Sequence, residues 1–267
     1  MAEQSIAAEA RVAFRGGGFE PGARRWASWL AFAAIIAAWQ AASSSGLLPA
    51  LLMPSPWQVA RAFGELWHSG RLPGDLGASL YRVLWGWFLG TAVGLVAGVA
   101  MGIWTTPRAI GIPIVSALFP IPKIALLPLL ILWFGIGEPS KIATIALGVF
   151  FPTVITGYSA VDSVPRNLIR MAQSFNLPRR EIIRKILLPG AMPAILAGFR
   201  ISSSIALILL VAAEMIGAEH GVGAFILQAG NLMQTDQLVA GVVVLSLLGL
   251  AISTLLGRLE RALLRWR

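Results

Sequence analysis

"SFNLPRREIIRKILLP", residues 174–189, gathers Arg179, Arg180, Glu181, Arg184 and Lys185 into one short stretch of a chain that is 12% charged and 57% hydrophobic. Soluble domains carry about a quarter charged residues and roughly half apolar ones. The surrounding sequence is therefore that of a membrane protein, and this stretch is the exception within it. Charges grouped this densely are costly in hydrocarbon, so the segment marks a place where the chain leaves the bilayer.

On both sides of it the sequence turns apolar. Six stretches, 26–42, 83–104, 109–136, 142–160, 191–216 and 238–255, approach or meet the roughly 17 to 25 residues of a helical span. They predict an all-α membrane protein with six transmembrane helices. The segments of about ten residues with alternating polarity that make a membrane barrel do not occur. If the N-terminus is cytoplasmic, that side holds Arg11, Arg15, Arg24, Arg25, Arg108, Arg166, Arg170, Arg179, Arg180, Arg184, Lys185, Arg258, Arg261, Arg265 and Arg267. The other side holds Arg61, Arg71, Arg82 and Lys141. By the positive-inside rule both termini and the quoted segment face the cytoplasm.

The chain divides into a tail over 1–25, a first span with an outer amphipathic segment over 26–78, a core over 79–257 with a hairpin at 162–189, and a basic end over 258–267. Trp26, Trp29 and Trp39 read as interfacial anchors of a retained first helix. A cleaved leader is the competing reading, because Arg24 and Arg25 precede an apolar run followed by small residues. In "PSPWQVARAFGELWHSG", Pro56 starts an amphipathic helix whose apolar side is Val59, Ala60, Phe63, Leu66 and Trp67.

The second span carries Gly86, Gly90, Gly94, Gly98 and Gly102 at intervals of four. Such a ladder lets another helix backbone approach closely, and packing against a helix of the same bundle is expected ahead of a second subunit. The third span is interrupted by Pro113, Pro120, Pro122 and Pro128, with Lys123 among them. It is either a kinked helix lining a pathway or a shorter helix beginning near Ile124. In the fifth span Arg200 and Glu214 are ionisable and so are candidates for the pathway. Fourteen residues at about 1.5 Å each put them roughly 21 Å apart, too far to pair with each other.

Residues 162–189 read as two short helices. The first starts at Asp162 or Ser163 with Pro165 early in it and shows a face of Leu168, Met171, Ala172 and Phe175. It stops near Asn176, one of the few residues besides glycine that accept the left-handed helix terminus. Pro178 suits the first turn of the second helix, where Glu181 and Lys185 stand four apart as a favourable pair. The product is a basic cytoplasmic knob suited to docking.

Several chemistries are missing. With no cysteine in the chain, thiol catalysis and cysteine metal sites are excluded, and His68 and His220 stand alone. None of the lysines follows a glycine, so no phosphate loop of the G-x-x-x-x-G-K-[ST] kind exists. The serines at 202–204 have no base beside them. Neither a catalytic residue, nor a metal site, nor a nucleic-acid partner is expected. What remains is an externally powered transporter, or a membrane scaffold that recruits a soluble partner.

The hairpin resembles the cytoplasmic loop of permease subunits of bacterial binding-protein-dependent ABC importers, which carry E-A-A-x3-G-x9-I-x-L-P. Ile186, Leu188 and Pro189 fall on the end of that motif, Ala172 on its second alanine and Asn176 on its glycine. Arg170 and Met171 replace the leading Glu-Ala. "MPSPWQV", "ASLYRVLWGWFLG", "PIPKIALLPLLILWFGIGE", "SKIATIALGVFFP", "ILLPGAMPAILAGFR", "AEMIGAEHGVGAFI" and "QTDQLV" look like the aliphatic-sulfonate, taurine and nitrate branch. "MAQSFNL" and the ending "LERALLRW" are most like aliphatic-sulfonate permeases.

The resemblance implies a type I importer permease fold in the bacterial inner membrane, and a homodimer that binds two ATP-binding subunits. A periplasmic or lipid-anchored binding protein delivers the substrate. ATP and magnesium would be held by the ATPase partner and no cofactor by this chain. Contacts to the ATPase would come from Ala172, Ser174, Asn176, Pro178, Arg179, Arg180, Ile186, Leu188 and Pro189.

Overall fold

A computed structural model describes residues 25–45, 49 and 53–265. The expected tail up to residue 24 and the last two residues lie outside the described residues. Contacts divide the chain into a unit ending at Pro56 and a second unit over Trp57–Arg267.

The described part of the first unit is dominated by helix α1, Arg25–Ser44. Trp29, Leu30, Phe32, Ile35 and Ile36 are all exposed on it, as on a helix made to meet lipid or another chain.

The second unit opens with α2, Pro56–His68, which begins at the proline and buries Val59, Ala62 and Leu66. Helix α3 follows over Arg71–Ile103. It starts twelve residues before the apolar run, because Leu72, Asp75, Ser79 and Arg82 are buried on one face and extend the helix beyond the stretch that hydropathy marks. Next come α4, Thr105–Leu118, and α5, Leu127–Phe134, the latter preceded by a 3-10 turn at Lys123–Leu126. These two pieces bend by 85° at Phe119–Pro122. The third span is thus a broken one, with Pro122 removing a backbone donor and extended at φ −63°, ψ 110°.

Helix α6, Glu138–Asp162, leads into the short α7, Arg166–Ser174, and α8, Arg179–Ile182. A π turn at Ile183–Leu187 joins α8 to α9, Leu188–Gly217. The second arm of the hairpin is therefore no separate helix: it runs on as one apolar rod of 39 residues into the fifth span. Helices α10, Val222–Asn231, and α11, Thr235–Leu263, complete the chain. Among the described residues four helices are long and apolar enough to cross a membrane, and the broken pair makes five. The expected sixth, α1, is a shorter apolar helix.

The core sits where α3, α6 and α9 meet. Val83, Ile145, Val149, Ala206, Leu209 and Leu210 form one buried cluster. The glycine ladder of α3 faces α6 of the same chain throughout: Gly86 lies against Ile145, Gly90 against Ala146, Gly94 against Phe150, Gly98 against Val154 and Gly157, and Gly102 against Val161. A Cβ on Gly94 would lie 2.7 Å from the Phe150 carbonyl oxygen. The two backbones touch where lipid offers no hydrophobic drive for association, so close packing and dispersion supply the attraction.

Candidate functional site

Two polar constructions stand at opposite ends of this core. The first is the hairpin. Helix α7 ends in a left-handed turn with Asn176 at φ +53°. The Leu177 amide donates to the Ala172 carbonyl at 3.1 Å and the Asn176 amide to Gln173 at 2.9 Å, the two bonds of a Schellman terminus. Pro178, extended at φ −66° and ψ 148°, then launches α8. Lys185 donates to Glu181 at 2.9 Å across one turn.

The base of the hairpin is fixed. Val161, Val164, Leu187, Ala191 and Ile195 cluster there with Val99 and Ile103 of α3. Arg108 at the start of α4 makes a two-pronged ion pair with Asp162, at 2.7 and 2.5 Å. Ala172 and Ile182 are buried, one in each arm of the hairpin.

Its tip carries the opposite character. Leu168, Met171 and Phe175 are exposed, Phe175 at 74%, and so are Arg166, Arg170, Arg179, Arg180, Arg184 and Lys185 of the same hairpin. Ser174 donates back to the Met171 carbonyl at 2.8 Å, while Ile186, Leu188 and Pro189 are half-buried in the arm that continues into α9. Exposed apolar side chains and cations together on one hairpin have the composition of a docking surface.

The second construction lies at the other end, and of its members the sequence marks only Glu214 as a candidate. Asp75, Ser79 and Arg82 share one buried face of α3. Opposite them, the turn from α9 to α10 passes Gly221 at φ +131° and aims three successive amides at acceptors. Gly221 donates to Asp75 at 2.8 Å, Val222 to Ser79 at 2.9 Å and Gly223 to Glu214 at 2.8 Å.

Glu214, 1% exposed, also accepts from the Ser79 hydroxyl at 2.8 Å and from Arg82 Nη1 at 2.7 Å. The other edge of the Arg82 guanidinium meets both oxygens of Glu138 at 2.6 Å, and Nη1 reaches the His220 carbonyl at 2.6 Å. One guanidinium thereby fastens α3, α6, α9 and the α9–α10 turn. Buried charges persist when paired and fully hydrogen-bonded, and this cluster satisfies both conditions.

The three ionisable residues picked out as pathway candidates sit apart from one another. Glu214 belongs to the cluster just described. Lys123 stands in the break of the third span, and its ammonium donates to the carbonyls of Leu118, Phe119 and Ile121 at 2.7, 3.1 and 2.7 Å. Three bonds use all three donors of the ammonium, which also lies 4.5 Å from the Phe151 ring centre. Arg200 lies toward the hairpin end of α9 and donates to Glu260 of α11 at 2.7 Å.

The family described as "Binding-protein-dependent transport system inner membrane component" matches residues 90–266. The chain belongs to that family. SsuC of Bacillus subtilis strain 168, named for aliphatic sulfonates transport, is 38% identical over 251 residues, 93% of this chain and 91% of its own. TauC of Escherichia coli K12, a taurine transport system permease protein, is 36% identical over 239 residues, 88% of this chain and 87% of its own.

Among solved structures, the inward-facing MetNI methionine ABC transporter superposes with a TM-score of 0.60 at 23% identity, covering 78% of this chain and 97% of that one. At that identity the likeness establishes the importer permease fold. The family's matched region runs from Gly90 through both arms of the hairpin to the last helix, so the hairpin lies within it. Family and apolar helices together place the protein in the inner membrane, crossing it several times.

Proposed function

We propose that the protein is the membrane subunit of an ATP-driven importer, forming with a second copy of itself the path for a small organic anion of the aliphatic-sulfonate kind. A binding protein delivers the anion on the outer side, and two ATP-binding subunits, which hold ATP and magnesium, seat on the hairpins. Both termini then lie in the cytoplasm, on the side richer in arginine.

The observation that carries this reading is the hairpin. An exposed phenylalanine and methionine amid six cations sit on a stalk tied by Arg108–Asp162 and the Val164 cluster to α3, α4, α6 and α9. Movement of a partner at the tip reaches the spans directly, because no flexible linker intervenes. The continuous rod from α8 through the π turn into α9 has the same consequence. A transport coupling needs two arrangements of such a rigid element, which the ATPase pair would bias. The sulfonate class rests on the likeness to SsuC and TauC over most of the chain.

The test is uptake by the reconstituted complex with its binding protein. Labelled alkanesulfonate is expected to enter only with ATP present and to be competed by unlabelled sulfonate more strongly than by nitrate. Uptake that persists without ATP refutes the importer reading, and competition by nitrate alone refutes the substrate class.

A further inference from the structure

Helices α9 and α11 part at their hairpin end and leave a pocket of about 610 Å³ lined by Arg200, Thr254, Gly257, Glu260, Arg261 and Leu264. Gly257 forms part of its wall, since a Cβ there would lie 3.2 Å from Arg200 Nη2. Each guanidinium has five donors. Among the described residues Arg200 spends one on Glu260, at 2.7 Å, and Arg261 spends one on the Gly257 carbonyl, at 3.2 Å. Two cations face one carboxylate, so the pocket keeps a positive excess and unused donors.

The surface above the pocket is apolar and open. On α11, Val243, Leu247, Leu250, Thr254, Gly257 and Arg261 recur at helical spacing on one face, with Val243 39%, Leu247 54% and Leu250 64% exposed. On α9, Ile208 lies about two turns above Arg200 and is 69% exposed. From Thr254 up to Val243 is eleven residues, about 16 Å at 1.5 Å each, close to one leaflet of a core roughly 30 Å thick. Cations at the membrane boundary with an apolar stripe one leaflet long match the charge and shape of a phospholipid whose headgroup is negative.

We propose that this pocket binds an anionic phospholipid of the cytoplasmic leaflet, its phosphate between Arg200 and Arg261 and an acyl chain along the Val243–Leu250 stripe. Glu260 orients Arg200, and among the described residues it leaves Arg261 as the cation without a carboxylate partner. The proposal rests on the importer reading only for the leaflet. Its readout is lipid retention, which fails or succeeds independently of ATPase docking.

The experiment is native mass spectrometry of the delipidated, purified protein titrated with phosphatidylglycerol, with phosphatidylcholine, and with inorganic phosphate as the headgroup control. A retained phosphatidylglycerol adduct is expected, with weak phosphatidylcholine and no phosphate adduct. Arg261→Gln should weaken retention about fivefold and Arg200→Gln with Arg261→Gln about thirtyfold, from the usual contribution of each cation near a membrane. Glu260→Gln should retain the lipid at least as well.

Equal retention by wild type and the double variant overturns the proposal, and so does equal retention of the two lipids. Phosphate binding alone would make the pocket a free-anion site and also overturn it. Should the variants not fold, the unmodified protein decides. Retention that is unchanged when salt rises from about 0.05 to about 0.5 M refutes a charge-held headgroup. Protection of Thr254→Cys from a maleimide by a second copy, with no lipid present, would give the pocket to the subunit interface instead.

Discussion

Replacing Arg82 by methionine, which keeps much of the side-chain volume and removes the charge, should be among the most damaging single changes available in the second unit. The guanidinium makes a 2.7 Å bond to Glu214, whose side chain is fully buried, and a two-pronged pair with Glu138, whose side chain is 45% exposed. The Glu138 pair is open enough to water to contribute at most about 1 kcal/mol. Glu214 is different. Without Arg82 its hydrogen bonds among the described residues are those from the Ser79 hydroxyl and the Gly223 amide, both neutral, around a charge with no access to water.

Removing one partner of a buried pair costs about 3 to 5 kcal/mol, because the survivor stays charged and desolvated. That corresponds to a folded population lower by two to nearly four orders of magnitude. Adding Glu214→Gln removes the stranded charge while keeping an acceptor for Gly223, and should recover about 2 kcal/mol of the loss. Equilibrium unfolding in mixed micelles, followed by tryptophan fluorescence, measures all four corners of this cycle. If Arg82→Met falls within about 1 kcal/mol of wild type, or the double variant is no more stable than the single one, the cluster is not the clamp described here.

Other predictions concern the glycines and the hairpin turn. Gly94→Val should lower the melting temperature and loosen α3 from α6, since even a Cβ would lie 2.7 Å from the Phe150 oxygen. Gly77→Ala, on the same helix with nothing within 4 Å, should be neutral or stabilising by up to about 1 kcal/mol, so the thermal shifts of the pair separate packing from helix propensity. Asn176→Gly should leave co-purification with the ATPase subunit intact. Asn176→Val places a β-branched residue at φ +53° and should reduce that co-purification severalfold while barely moving the melting of the spans. Comparable yields of complex for the two variants would refute the importance of the turn.

Much of this architecture could be read from residue order alone, for reasons that are local. Gly86 to Gly102 repeat every four residues, so they share a helix face whatever they meet. Asn176 before Leu177 and Pro178 ends one helix and starts another by backbone preference, and the Schellman bonds follow. Pro120, Pro122 and Lys123 announce a break, although the 85° bend depends on how α4 and α5 pack against the rest.

The parts that were illegible are the long-range ones. Arg82 and Glu214 are 132 residues apart, and nothing near either says that they meet. Arg82 reads as one outer-side cation among four, while its true neighbours arrive from α6, α9 and the α9–α10 turn. The one local hint was the spacing of Asp75, Ser79 and Arg82, which puts three polar groups on one helix face. The π turn at Ile183–Leu187 likewise has no marker in sequence, and hydropathy alone separated the hairpin's second arm from the span it continues into.

The central claim is that the hairpin tip seats the ATPase, and the absence of native cysteine makes it directly measurable. Phe175→Cys, exposed at the tip, is expected to cross-link to the ATP-binding subunit in membranes through a short bifunctional maleimide. Ile208→Cys, exposed on a span, is expected not to do so. A cross-link from Ile208→Cys with none from Phe175→Cys, or none from either in a complex that still co-purifies, would contradict the account.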